Sequence, residues 1–532
     1  MSNARTAITT GANSGIGLAT VLELARRGFR SVGRVAATSK ATRGFRRPRG
    51  CAILVPGANR PRGSRMERVT SDNGPGAFER QFDRRSLLKG MAFAGAGAAL
   101  GACRFRPGHN PGGPPWGRVL PPGTRPFPRV PEGTDMLPEI EHVVVIMMEN
   151  HSYDSYLGAL GRGDGFSFAP DGKPRNANPD GTGNLVRAFH MPSTCQLHAL
   201  PGQDWERSHR SWDNGRNDGF VEASTAVAMG YWDETDIPFY YGLANTFPLS
   251  DRWFGSVLAQ TYPNRRFLMA GTAAGIISTT TAGLTAPPPP NGTIFDRFQS
   301  HGIPWRNYYT DLPSAAIILK TIQDYPANFS NIDRFYTDAA AGSLPFFSLV
   351  DPNFDTESEE NPQDLRRGEQ VAAKVANAVM HSPNWAKTML IWTYDEHGGY
   401  YDHVPPPAAV RPDDIAPGTY DRLSFRVPAV IVSPYAKRNY VSHVTHDHTS
   451  VLKLIETKWN LGALTYRDAN ADNLLDSLNL RARPAFLEPP VLPAPALDAG
   501  PDTCTPGDPG GPIPPPDAVV PIDANPWLTT HS

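Results

Sequence analysis

Two pairs of oxygen-bearing residues each follow directly on an apolar run. His142-Val143-Val144-Val145-Ile146-Met147-Met148 leads into Glu149-Asn150, and Thr388-Met389-Leu390-Ile391-Trp392-Thr393-Tyr394 leads into Asp395-Glu396. Three carboxylates and one amide oxygen are hard donors, the set that suits a divalent cation. A single acid after a strand ordinarily caps the next helix; two pairs in matching positions favour the metal set. A hydroxyl stands elsewhere in the chain, at Thr261 in Gln260-Thr261-Tyr262-Pro263-Asn264-Arg265, where a loop enters a helix and Pro263 suits the first turn. Just ahead of that helix, its positive end and free N–H groups would favour an oxyanion. A cation beside the hydroxyl would lower its pKa and ready it as a nucleophile. The plainer role for Thr261 is a helix cap.

The pairs can meet only if the fold brings the two runs together. Both runs read as buried strands, short and rich in β-formers. In open α/β sheets, ligands bind beyond the carboxyl ends of parallel strands. Further apolar runs occur at 345–350, followed by Asp351, and at 427–433, ending in Ser433-Pro434. Helical stretches at 366–381 and 449–459 lie among them. This alternation predicts an α/β sandwich with a mostly parallel central sheet flanked by helices.

The chain has 532 residues, 40% hydrophobic and 19% charged, enough for a large core. Its net charge of −1 conceals an asymmetry. Residues 1–65 carry thirteen Arg/Lys and one acid, Glu23; removing that +12 from −1 leaves −13 for the rest. An acidic body argues against nucleic acid as the main partner. It also argues against docking on anionic lipid by charge alone. No apolar run is long enough to span a membrane. Four cysteines, Cys51, Cys103, Cys195 and Cys504, are too few for a disulfide scaffold.

The N-terminal region reads as several pieces. Thr10-Gly11-Ala12-Asn13-Ser14-Gly15-Ile16-Gly17 resembles the cofactor loop of short-chain dehydrogenases. That family needs a Tyr with a Lys four positions later, and none of the seventeen tyrosines has one. Residues 1–65 therefore read as an extraneous fragment, with Met66 as the expected start. Residues 66–103 read as an export signal. Phe82-Asp83-Arg84-Arg85-Ser86-Leu87-Leu88-Lys89 resembles a twin-arginine motif, and Leu100-Gly101-Ala102-Cys103 resembles a lipoprotein cleavage box. Cys103 is thus a candidate lipid anchor, and the expected location is extracellular or on the cell envelope. Residues 104–135, rich in Pro, Gly and Arg, read as a linker. Residues 136–483 read as the catalytic body, and 484–532 as an irregular Pro-rich tail. Cys195 and Cys504 are the two cysteines left after export, and a bond between them would pin that tail in an oxidising compartment.

Glu149-Asn150-His151-Ser152-Tyr153-Asp154 resembles the opening motif of the bacterial phosphoesterase family. That family includes phosphocholine-type phospholipases C and respiratory-burst-inhibiting acid phosphatases. Three further blocks match in order and spacing. They are Thr261-Tyr262-Pro263-Asn264-Arg265; Tyr394-Asp395-Glu396-His397-Gly398-Gly399 with Asp402-His403-Val404-Pro405-Pro406; and Arg426-Val427-Pro428 through Ser433-Pro434 with His448-Thr449-Ser450. The resemblance implies an alkaline-phosphatase-like fold and a phosphate-ester substrate, phospholipids included. It implies one divalent metal (Ca, Zn, Mg or Mn) held by Glu149, Asn150, Asp395 and Glu396. Thr261 would be the nucleophile that is transiently phosphorylated, with His209 and Asn150 holding the phosphoryl oxygens. His397, His403, His448 and Arg265 are secondary candidates.

Two positions depart from the family pattern. Gln203 and Asn361 stand where family members carry His. Both can hydrogen-bond, but neither shuttles protons near neutral pH. The resulting expectation is an exported phosphoesterase. The rival readings are a catalytically weak binding or surface lipoprotein on the same fold, and a nicotinamide oxidoreductase suggested by the glycine loop.

Overall fold

The computed structural model describes residues 119–195, 200–415, 420–496, 504 and 511–522. The glycine loop, Met66, the twin-arginine motif and Cys103 lie outside the described residues.

One sheet contains β1 (His142–Met148), β2 (Leu249–Ser250), β3 (Trp305–Tyr309), β4 (Phe329–Asn331), β5 (Phe347–Asp351), β6 (Thr388–Tyr394), β7 (Ala429–Val432) and β8 (Val441–Ser442). Their order is β8-β2-β7-β6-β1-β5-β3-β4. The expected strands β1, β5, β6 and β7 are all present. They are apolar on both faces because both faces of the sheet are covered. Five of the seven pairings are parallel. The exception is β7, antiparallel to both β6 and β2. This reversal puts the residues before β7, Arg426 among them, at the end of the sheet where Glu149-Asn150 and Asp395-Glu396 lie. Ser433-Pro434 goes to the opposite end.

Five helices bear on the strand ends: α1 (Tyr153–Leu157), α2 (Trp205–Trp212), α3 (Thr261–Ala270), α4 (Leu365–Met380) and α5 (Thr449–Trp459). Along α4, Leu365, Ala372, Val375, Ala376 and Val379 form a buried stripe that packs on β1 and β6. No described helix is long and apolar enough to cross a membrane.

Among the described residues, segments on both flanks of the body make specific contacts with it. Residues 119–135, read as linker, dock on the end of α5. Asn460 caps α5 and its Nδ2 donates to the carbonyls of Phe127 (3.0 Å) and Val130 (2.8 Å), while Oδ1 accepts from Phe127 N. Gly133 N donates to Trp459 O at 2.9 Å. In the tail, Val519–Pro521 forms a strand antiparallel to Asn184–Arg187. Cys504 bonds to Cys195, with Cα atoms 5.7 Å apart. A cavity of about 660 Å³ opens at the amino end of β1, lined by His142, Trp305, Phe346, Lys458 and Trp459. It lies at the opposite end of the sheet from the strand-end carboxylates.

Candidate active site

β1 and β6 are neighbours, parallel and in step, from His142 opposite Thr388 to Met148 opposite Tyr394. Glu149-Asn150 and Asp395-Glu396 therefore leave the sheet side by side. Asp395 N donates to Met148 O at 3.2 Å, and Asn150 N donates to Asp395 Oδ1 at 3.2 Å. Asn150 sits in left-handed backbone (φ 69°), which asparagine tolerates. The glycines after Glu396 explain the tight turn. A Cβ on Gly398 would lie 1.8 Å from Asn150 O, and one on Gly399 would lie 2.7 Å from Gly202 N. Only glycine lets this loop press on both the first ligand pair and the segment carrying Gln203.

All four candidate ligand residues are buried. Asn150 Oδ1 and Nδ2 and Glu396 Oε1 have no hydrogen-bond partner. Burial, then the repulsion of neighbouring acids, holds Glu149 and Glu396 well above the usual carboxylate range. Arg265 is the buried counter-charge. Its Nε donates to Asp395 Oδ2 at 2.9 Å, and its guanidinium is 3.7 Å from Glu149 and 3.8 Å from Asp351. One cation among these acids leaves negative charge uncompensated. With unpartnered oxygens on Asn150 and Glu396, the set fits a divalent ion. His190-Asp233-Asp236 and His446-Asp472-Asp476 each converge within 4.8 Å. The strand-end set, which includes an amide and encloses Arg265, is not among the groups that tight.

Thr261 is the first residue of α3, not a residue ahead of it; Gln260 takes the cap position. Thr261 is buried, and with Gln260 at the cap position it is not the cap residue. Thr261 and Arg265, four apart, share one face of α3. The hydroxyl thus lies one turn from the guanidinium that binds Asp395 and faces Glu149. The next side chain, Tyr262, is pushed up to about 12 by burial and then by Glu149. The first turn offers fewer free donors than expected. Tyr262 N donates to Thr279 Oγ1, Pro263 has no N–H, and Asn264 N donates to Gln260 O. The Thr261 amide remains.

The histidines divide by role. His448 Nε2 donates to the carbonyl of Asp395 at 2.6 Å while Trp253 Nε1 donates to its Nδ1, so this ring fixes the backbone of a candidate ligand residue. His397 is buried against Phe425, its Nδ1 lies 3.2 Å from Glu396 Oε2 without a hydrogen bond of good geometry, and burial pushes it down to about 3. His403 belongs to a buried ionic cluster. It bonds Asp154 at 2.7 Å and Asp164 at 3.3 Å, and Arg426 joins Asp154 (2.9 Å) to Asp402 (2.8 Å). That cluster welds together three of the sequence blocks and gives His403 a structural role. His209 Nδ1 donates to Trp205 O at 2.7 Å, its ring packs at a tilt against Trp205, and Asp421 and Arg422 are its charged neighbours. None of the ligand residues is among its contacts, so a hold on phosphoryl oxygens has no support in its surroundings.

Glu360 is the site residue the sequence reading missed. Burial, then Asp395, pushes it up to about 7, and the amides of Gln203 and Asn150 face it. The Asn150 amide nonetheless makes no hydrogen bond of good geometry. Gln203, one of the two departures, is thus at the site. Asn361, the other, exchanges hydrogen bonds with Tyr400 Oη at 2.9 and 3.2 Å. Two adjacent acids ahead of Asn361-Pro362 were the available signal.

Residues 140–462 match the Phosphoesterase family. The chain is 28% identical over 428 residues to the non-hemolytic phospholipase C of Pseudomonas aeruginosa, covering 69% of this chain but 60% of that protein. It is 31% identical over 395 residues to the non-specific phospholipase C6 of Arabidopsis thaliana, covering 66% of this chain and 75% of that protein. A solved structure of an alkaline phosphatase superfamily protein from Vibrio parahaemolyticus aligns over 59% of this chain and 76% of its own, at 12% identity and a TM-score of 0.30. At that score the fold rests on the sheet described above. The matched span contains Glu149-Asn150, Asp395-Glu396, Thr261 and Arg265, and the chain belongs to the Phosphoesterase family.

Proposed function

We propose that the chain is an exported, metal-dependent phosphoesterase that passes a phosphoryl group from an ester to Thr261 and then to water. The in-step pairing of β1 and β6 carries this reading, because it sets the unpartnered oxygens of Asn150 and Glu396 beside Glu149 and Asp395. Thr261 Oγ1 forms a bond to phosphorus as the bond to the leaving alcohol breaks. The hydroxyl's proton is released, and the alcohol takes one up. Water then displaces Thr261, which regains its proton. Glu149, Asn150, Asp395 and Glu396 would hold one divalent cation, which supplies charge neutralisation and a lowered hydroxyl pKa. Arg265 and His448 hold Asp395 in place for that role.

The relatives' names support a phospholipid or similar phosphodiester as substrate. Since the chain spans 60% of the Pseudomonas relative, the substrate is part of the proposal. Export is supported by the twin-arginine motif and by the Cys195–Cys504 bond, which an oxidising compartment maintains. Cys103 would anchor the mature protein to lipid. The test is turnover of an aryl phosphate, an aryl phosphocholine ester and phosphatidylcholine vesicles with Ca, Zn, Mg or Mn supplied in turn. Turnover with one of them, and phosphate trapped on Thr261, is expected. No turnover with any metal would sink the proposal and favour a binding protein on the same fold, the reading suggested by Gln203 and Asn361.

A further inference from the structure

Glu359 is fully buried and holds left-handed backbone (φ 76°), which disfavours a residue with a Cβ. Its carboxylate accepts three tyrosine hydroxyls: Tyr156 at 2.7 Å, Tyr240 at 2.5 Å, and Tyr394. Two of these donors have telling positions. Tyr394 ends β6 and directly precedes Asp395-Glu396. Tyr156 is on α1, which begins three residues after Asn150. Glu359 itself lies on the loop that presents Glu360 and Asn361. One carboxylate therefore gathers the flanks of both ligand pairs and the third wall of the site.

The surroundings are shaped for this contact. A Cβ on Gly368 would lie 2.2 Å from Glu359 Cγ, so α4 carries a glycine in its interior at that point. A glycine in a helix interior is destabilising relative to alanine. Burial pushes Glu359 up to about 8, against the pull of the three hydroxyls, and no Lys or Arg is among its hydrogen-bond partners. Filling this space with an apolar side chain would avoid burying a carboxyl at all.

We propose that Glu359 is a positioning residue: by holding Tyr156 and Tyr394 on one acceptor, it sets the spacing of Glu149-Asn150 against Asp395-Glu396 and turns Glu360 toward the site. Its effect on turnover rests on the phosphoesterase reading; its effect on ligand spacing does not.

The test uses the full chain and the variants Glu359→Gln, Tyr156→Phe and Tyr394→Phe. Tyr308→Phe serves as control, since it removes a buried hydroxyl on β3 that donates to Asp338 in the helix Ile332–Ala341. Three quantities are read: Mn²⁺ affinity by equilibrium dialysis, kcat and KM on an aryl phosphate, and the thermal midpoint. Tyr156→Phe and Tyr394→Phe are expected to weaken Mn²⁺ binding and lower kcat by roughly 10- to 100-fold, with KM little changed. Tyr308→Phe is expected to lower only the midpoint. If Glu359→Gln fails to fold, the two Tyr→Phe variants carry the test. Equal midpoint losses in all the Tyr→Phe variants, with Mn²⁺ affinity and kcat untouched, would overturn the proposal, as would a native chain that binds no Mn²⁺. A native chain that binds Mn²⁺ but hydrolyses no ester, with affinity still lost in the variants, would leave the positioning role standing and remove the phosphoesterase reading.

Discussion

Arg265 Nε donates to Asp395 Oδ2 at 2.9 Å, and the same guanidinium donates to the carbonyls of Met148 (3.0 Å) and Met147 (3.2 Å). One buried cation on α3 thus grips the carboxyl ends of both central strands. The planar fork makes this possible, and a lysine ammonium cannot reproduce it.

Removing that cation should be costly for stability. Arg265→Ala leaves Asp395 and Glu149 buried without their counter-charge, and is expected to cost about 3–5 kcal/mol in urea unfolding. Arg265→Lys should fall between Ala and the native chain. A loss below about 1 kcal/mol for Arg265→Ala, the range of an exposed pair, would show that the contact is not the buried pair described.

Thr261→Ala should lower kcat by roughly 10³-fold or more, leaving residual rate from binding and positioning alone. Thr261→Ser, which keeps the hydroxyl on the Arg265 face of α3, should retain measurable turnover and a phosphorylated intermediate. A Thr261→Ala enzyme with native kcat would remove the nucleophile from the proposal.

A divalent cation that binds the folded chain alone should raise its melting temperature. At 100 times its Kd the gain is about 2.7 kcal/mol. Glu149→Gln and Asp395→Asn should abolish the response. If chelation and re-addition of Ca, Zn, Mg or Mn all leave the melt unmoved, the donor set described here does not hold a metal.

Gly398→Ala tests the close approach of the two ligand loops. The left-handed backbone (φ 66°) penalises any Cβ, and the methyl would meet Asn150 O at 1.8 Å. Loss of metal response together with a lowered melting temperature is expected. A variant with native metal affinity would mean that the loop can shift without disturbing Asn150.

His403 makes stability depend on pH. Its pKa is raised from 6.5 to about 9, with burial opposing and Asp154 then Asp164 favouring the charged ring. A raised folded value means the contribution is full below pH 6.5 and is lost as pH rises through about 9. It amounts to at most about 3 kcal/mol. The urea midpoint of the native chain should fall across that window, and that of His403→Gln should fall less. Parallel profiles would show that His403 is not the group responsible.

Much of this was legible locally. The apolar runs before Glu149 and Asp395, the helix entry at Thr261 and the alternation of strands with helices depend on residue types within a few positions of one another. Such short-range patterns predict elements and donor chemistry well. The roles of the histidines were not legible, because an isolated His carries no mark of its partners. His448 proved to orient Asp395, and His403 to neutralise Asp154, through contacts with residues 53 and 249 positions away.

By itself the sequence determined the α/β class, the oxygen donors and the hydroxyl, since these follow from strand and helix propensity and from side-chain chemistry. Only the tertiary structure decided what they form together. The parallel, in-step pairing of β1 with β6 brings the two donor pairs to one edge, and hydrophobic burial of both faces sets that register. The reversal of β7 delivers Arg426 to the same end. Glu359 and Glu360 enter the site through partners more than a hundred positions away in sequence, such as Tyr156 and Gln203. Pro- and Gly-rich composition reports local stiffness and turn preference, not docking, so the packing of residues 119–135 on α5 became visible only when Asn460 met their carbonyls.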